Sequence, residues 1–330
     1  MKLLSLLFLA TLLFATSLNL QQESPELQEA TALNDSAVKL FNSGKYDEAM
    51  AAAKRALQIR DKLLPRNDPR ISSSLNNLGE IYLARKDYKP AKEVYIRLLQ
   101  IQEELFGPED VNLAYTLDRL APVYFVAGND RETELAYKRA LALREKALGP
   151  NDVQVAQSVV ALAEFYRLSK KLEPALENYR RALMLYGKLT GLKSREFERA
   201  REGIACLSYE HHKPELFDEL TEIQKQLSGR DEPEASKNMS VLNGRALSLP
   251  KPEYPGAAAA RRLMGLVVVK VEIDEAGNVV AARDMCQGPP FLSEASVAAA
   301  RKARFTPTML DGRAVKVIGV IQYNFTTRFR

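Results

Sequence analysis

The sequence is poor in the residues from which catalytic and metal centres are built. Its 330 residues hold only two histidines, His211 and His212, and two cysteines, Cys206 and Cys286. Adjacent histidines on a helix or turn point apart, so a shared metal site is not expected. No nucleophile, base and orienting group converge in the pattern, and there is no glycine-rich phosphate loop. Neither enzymatic activity nor a cofactor is expected. Two cysteines are too few for a disulfide framework. They are expected as separate buried thiols acting as small apolar residues, with a bridge between two domains as the alternative in an oxidising compartment. Long apolar runs are also missing: the stretch from Leu3 to Thr16 falls short of the roughly 20 residues that span a bilayer, and no later segment comes nearer.

What is present begins with that stretch. Lys2 precedes it and the small residues Ala15, Thr16 and Ser17 close it, which predicts a signal peptide over 1–17 cut after Ser17. The alternative is an uncleaved anchor extended through Leu20, the one case in which membrane contact is expected. No Cys follows the run, so a lipid anchor is not indicated. Residues 18–32 form a polar leader. With 46% hydrophobic and 27% charged residues, the remaining chain can bury a substantial core and is expected to hold two domains.

The first domain, 33–227, is an internal repeat. Leu33, Leu75, Leu117, Val159 and Arg201 are each 42 residues apart, and the segments after them align without a gap. The second copy carries Leu75, Leu78, Gly79 and Tyr82 on one helical face, then Ala91, Tyr95 and Leu98 on a second helix. Small residues recur at one first-helix position (Ala37, Gly79, Ala121, Ala163, Ala205) and one second-helix position (Ala49, Ala91, Thr133, Ala175), where two helices can touch closely. Such pairs cannot bury their faces alone, so they stack into an all-α superhelix with a concave side. This pattern resembles the tetratricopeptide repeat. Its period, with LFGPED (105–110) and ALGPND (147–152) as punctuation, is similar to the kinesin-light-chain variety. The fifth copy is degenerate and is expected to cap the stack. The resemblance implies binding of protein or peptide segments, with Asn34, Asn76, Glu80, Asp118, Phe125, Glu164 and Arg167 facing the groove. An asparagine often holds a bound peptide in that family, and here only the first two copies keep one.

A polar linker over 228–241 precedes a second domain, 242–330, where the period changes. Val267, Val269, Val271 and Ile273 alternate with Leu266, Val268, Lys270 and Glu272, which predicts a strand. Asp274 to Asn278, with Gly277, turns the chain into a second strand, Val279 to Met285. A helix is expected from Ser293 and Glu294 to Arg304, stopped by Thr306 and Pro307. A last strand, Ala314 to Phe325, places Val315, Val317, Gly319, Ile321, Tyr323 and Phe325 on one face. The expectation is a small α+β domain with an antiparallel sheet under one helix.

The order PEYPGAA (252–258), GLVVVKVEIDEAGNVVAARD (265–284), LSEASVAAARKARFTP (292–307), DGRAVKVIGVIQYNF (311–325) resembles the TonB carboxy-terminal domain. One departure is Ala303, where that family usually places Trp; this chain has none. The resemblance implies capture of an extended segment, in the classical case of an outer-membrane transporter, by an exposed edge strand. The matching residues are Val315, Lys316, Val317, Ile318, Gly319, Val320, Ile321, Gln322 and Tyr323, while Tyr254 and Pro255 match a motif that orients the chain on the domain. From Val241 onward there are 13 Lys plus Arg and 7 Asp plus Glu, a net +6, against −1 for the rest. Arg261, Arg262, Arg301, Lys302, Arg304 and Lys316 suit an acidic peptide or a solvated surface. No motif points to nucleic acid. The reading is an exported, periplasmic scaffold with two protein partners. The alternative is a TonB-like energy transducer with the amino-terminal segment kept as an anchor, although repeats stand where a Pro-rich spacer would be expected.

Overall fold

The computed structural model describes residues 24–228 and 245–326. The expected signal peptide, the first part of the leader and nearly all of the linker lie outside the described residues. The chain divides into two compact units between Ala147 and Leu148.

The first unit contains three helix pairs: α1 (Pro25–Asn42) with α2 (Tyr46–Leu63), α3 (Pro69–Ala84) with α4 (Tyr88–Phe106), and α5 (Leu113–Val126) with α6 (Asp130–Leu148). First helices start where local chemistry dictates: Ser24 accepts from the Leu27 amide before Pro25, and Asp68 accepts from the Arg70 amide before Pro69. The small residues Ala37, Ala49, Ala91, Ala121 and Thr133 are fully buried at the helix crossings. Around them pack Ile71, Leu75, Leu78, Tyr95 and Leu98.

The second unit continues with α7 (Val153–Leu168), α8 (Leu172–Leu189), α9 (Arg195–His211) and α10 (Glu215–Ser228). One backbone signature runs through all five repeats of the chain. The turn between first and second helix puts a residue in the left-handed region at Gly44, Lys86, Gly128, Lys170 and His212. The amide of the next residue closes the turn each time, from Lys45 to Leu40, Asp87 to Tyr82, Asn129 to Tyr124, Lys171 to Tyr166 and Lys213 to Ser208. The fifth copy, degenerate in sequence, keeps this turn with His212. Its close contact moves, however: Ala205 is only half-buried, and Gly203 lies against the Tyr179 ring instead.

The rest of the second unit is the sheet domain: β1 (Ala246–Ser248), α11 (Gly256–Ala260), β2 (Gly265–Ile273), β3 (Val279–Asp284), α12 (Pro290–Ala300), β4 (Arg304–Phe305), β5 (Met309–Leu310), β6 (Arg313–Ala314) and β7 (Val317–Phe325). The main sheet is antiparallel in the order β3-β2-β7; β1 pairs β4, and β5 pairs β6. Val267, Val269, Val271 and Ile273 sit under α12 with Leu292, Ile321, Tyr323 and Phe325. Ala303, the position expected to lose a Trp, is fully buried in the same core.

Three expectations are corrected. The helix starts at Pro290 after a Pro289 cap, three residues before Ser293, and stops at Ala300 because Arg304 and Phe305 extend to pair with β1. The last strand begins at Val317, since Ala314 pairs with Met309 and the Val315 amide donates to the Thr308 carbonyl. The cysteines are not separate thiols: Cys206 on α9 and Cys286 after β3 form a disulfide, with their Cα atoms 5.5 Å apart.

Candidate functional site

Two features of β7 define the candidate site. Its odd-numbered residues from Gly319 to Phe325 are buried, while Ile318, Val320, Gln322 and Asn324 are exposed on the other face. Its hydrogen-bonding direction follows from one bond in the sheet. The Met285 amide donates to the Val268 carbonyl, so Val268 directs its backbone groups toward β3. Backbone direction alternates along an antiparallel strand, so Val269, Val271 and Ile273 direct theirs to β7. Their register partners are Ile321, Gly319 and Val317. The N–H and C=O groups of Ile318, Val320, Gln322 and Asn324 therefore point to the outer edge, and among the described residues no strand pairs there.

The structure separates the sequence-named edge residues accordingly. Val315 spends its amide on Thr308, and Lys316 lies before the strand and donates to Glu272 at 2.8 Å. That ammonium holds the Glu272 carboxyl below its usual range. Tyr254 donates its hydroxyl to the Leu263 carbonyl and packs its ring on Phe325 at 5.8 Å, and Pro255 caps α11. These two residues touch their own domain. The six named basic residues are all exposed, with Arg261 stacked over Phe291.

The opposite face of the sheet is covered over β2 and the end of β3, though not over β7, which sequence reasoning missed. Helix α9 lies over it, so Val268 is buried with Cys206, Cys286, Tyr209, Leu266 and Met285. Lys270 and Arg283 are direct cross-strand partners. Like charges so placed repel. Glu202 of α9 resolves the conflict: Oε1 accepts from Lys270 Nζ at 2.8 Å and from the Arg283 guanidinium. Burial would raise the Glu202 carboxyl, but these two donors bring it below the ordinary glutamate range. The sequence signal is faint, because a bulge between Glu272 and Ile273 sets the register that brings Lys270 opposite Arg283.

Most residues expected in the repeat groove are engaged inside the stack. Asn34 is buried between α1 and α3, accepting from Asn77 Nδ2 at 3.0 Å, which corrects its assignment as a groove-facing residue. Glu80 accepts from the Tyr95 and Tyr115 hydroxyls at 2.8 and 3.0 Å and pairs with Arg119 at 2.9 Å. Burial, reinforced by Glu80, pushes the Tyr95 phenol far up and keeps it a donor. Asp118 pairs with Arg144 at 2.6 Å. Arg167, almost fully buried, bridges Glu164 at 3.1 Å and Glu210 at 2.6 Å. Burial raises the Glu210 carboxyl, and Arg167 partly offsets this. Asn76 and Phe125 are half-buried. These charges clamp neighbouring helices. Among the described residues no helix is long and apolar enough to cross a membrane.

Comparison with known proteins agrees with this architecture. Residues 30–70 and 70–146 match two families described as tetratricopeptide repeat, and residues 250–327 match the family described as Gram-negative bacterial TonB protein C-terminal. No curated protein matches the chain. Among solved structures, putative kinesin light chain TPR-like repeats of Podosopora anserina align at TM-score 0.53 and 18% identity, over 63% of this chain and 98% of that one. A single-substitution variant of those repeats aligns equally well, at TM-score 0.53 and 17% identity, over 63% of this chain and 100% of that one. At such identities the likeness concerns the fold. The chain carries tetratricopeptide repeats followed by a TonB carboxy-terminal domain, two kinds of module that bind proteins.

Proposed function

We propose that this is an exported, periplasmic scaffold whose terminal sheet captures an extended peptide, such as a segment of an outer-membrane transporter, by strand addition to β7, while the repeats dock a second protein. The observation that carries the reading is the outer edge of β7, with four outward backbone pairs at Ile318, Val320, Gln322 and Asn324 over a fully packed inner face. An added strand satisfies these groups, and its alternate side chains meet Ile318 and Val320 on one face. The apolar segment at the amino terminus supports export, and the Gram-negative TonB match supports an envelope location. Within each unit the charged residues expected to face a groove are largely self-paired, which suits a folded or multipoint partner more than a charged peptide.

The test compares two proline variants by peptide calorimetry, with circular dichroism as the folding control. Val320→Pro removes an outward donor and should weaken capture at least tenfold with the fold retained. Ile321→Pro removes a donor to β2 and should instead destabilise the domain. Parental binding by folded Val320→Pro would refute strand addition at β7. A second reading, energy transduction through a retained amino-terminal anchor, is favoured by the TonB match alone. Amino-terminal sequencing of mature protein decides: a start near residue 18 supports the scaffold, and an intact Met1 supports the transducer.

A further inference from the structure

The geometry points to a redox latch: the Cys206–Cys286 disulfide fixes the terminal sheet to the fifth repeat, and two-electron reduction by a dithiol releases it. Cys206 and Cys286 are the only cysteines in the chain, so no other internal pairing competes. The bond joins α9 to the end of β3 across 80 residues of sequence. Apart from it, the contact that covers the back of the sheet is small. Among the described residues it consists of the apolar group around Val268 and Tyr209 and the carboxylate Glu202 between Lys270 and Arg283. The two opposed cations repel across the strands, and docking under Glu202 offsets that repulsion, so the strand register itself favours the docked state. Without the disulfide, these are the groups among the described residues that hold the back of the sheet to α9.

Cys206 and Cys286 are 3% and 6% exposed, so attack on the bond goes through local opening of the cleft beside it. Cys206 lines a cleft of about 670 Å³ that Arg199, Glu202, Lys270, Arg283 and Met285 also line. The charged lining is mixed, with Lys193, Arg195 and Arg199 together with Glu196 and Glu198. In the step, a thiolate of the reductant attacks Cys206 Sγ, the Sγ–Sγ bond breaks, and Cys286 leaves as a thiolate that takes a proton. The reductant's second thiol then attacks the mixed disulfide and releases Cys206, which is protonated in turn. The reductant ends as a disulfide, having supplied two electrons and two protons. Opening uncovers Val268 and separates Lys270 and Arg283 from Glu202. In the closed state, load applied to β7 passes through β2, β3 and the disulfide into the fifth repeat. The oxidised state rests on the proposed export to an oxidising compartment.

The test uses the full chain purified without reductant. Thiol titration under denaturing conditions should find no free thiols, and two after native treatment with dithiothreitol. On reduction, small-angle scattering should show a larger radius of gyration, and amide exchange over residues 200–210 should rise at least tenfold. The double variant Cys206→Ser/Cys286→Ser, shown to be folded by circular dichroism, should match the reduced parent. Glu202→Gln should increase exchange further in the reduced protein and leave the oxidised protein unchanged. Two free thiols at the outset, a bond that resists native dithiothreitol, or reduced protein with unchanged scattering and exchange would each overturn the latch. Peptide capture at β7 is measured separately, so failure of strand addition and failure of the latch are told apart.

Discussion

Replacing Gly79 by Ala tests the helix crossing on which the repeat architecture rests. A Cβ at this position would lie 2.6, 2.8 and 2.9 Å from Cζ, Cε1 and Cε2 of Tyr95, where ordinary contact begins near 3.4 Å. The ring would have to retreat by roughly 0.8 Å, the shortfall at the nearest atom. It has nowhere easy to go: Tyr95 is 0% exposed, and its hydroxyl is tied to Glu80 at 2.8 Å. Overpacking of this kind costs about 1–3 kcal/mol, the stretched hydroxyl bond adds about 1, and the better helix propensity of Ala returns about 1. The expected net loss is roughly 1–3 kcal/mol, and larger for Gly79→Leu. Urea denaturation of the full chain, followed by far-ultraviolet circular dichroism, measures it. The specific check is a double-mutant cycle with Tyr95→Leu, which removes the ring. There Gly79→Ala should be neutral or stabilising, giving a coupling of about 1 kcal/mol or more. A variant at least as stable as the parent, or the same loss without the ring, would refute the assigned crossing.

Other perturbations probe the remaining links. Lys86→Gly and Lys170→Gly should each stabilise by up to about 1 kcal/mol in urea melts, because both residues hold a left-handed turn at φ 62° and 57° that Gly adopts without strain. Arg167→Met should cost about 2–4 kcal/mol, since it strands Glu164 and Glu210 beside one another. The deficit should shrink from pH 8 to pH 5, because burial already raises the Glu210 carboxyl and loss of Arg167 removes what offsets it, so Glu210 takes up a proton in the folded state as pH falls. Gly277→Ala should lower the melting temperature through a loss of at least ~2 kcal/mol: the glycine has φ 86°, and a Cβ there would strike the Phe305 backbone. Glu202, held below the ordinary carboxylate range, contributes fully above about pH 4.3 and loses its contribution as pH falls through its lower folded value. Scattering of the reduced protein should therefore show further opening below about pH 4 and none between pH 5 and pH 7.

Local order in this chain is legible in its sequence. A 42-residue period fixes which residues meet at each crossing, because identical spacing returns Ala37, Gly79, Ala121 and Ala163 to the same side of a helix. Strict alternation through Val267 to Ile273 and Val317 to Phe325 fixes which face of each strand enters the core, because side chains on a strand alternate. Relations across long separations follow instead from how the elements dock. The outward direction of the Val320 amide depends on which strand pairs with which edge of β2. The groove charges read as available are engaged by Tyr115, Arg119, Arg144 and Glu210, which come from neighbouring helices. The back of the sheet reads as a polar face because Lys270 and Glu272 share it with Val268, and nothing local announces that α9 covers it. One bulge beside Ile273 shifts the pairing by a residue, sets Lys270 against Arg283 and creates the demand that Glu202 meets. Periodicity reports the environment of a residue within its own element, whereas a disulfide across 80 residues and an ion pair across 68 depend on contacts between elements that no local pattern encodes.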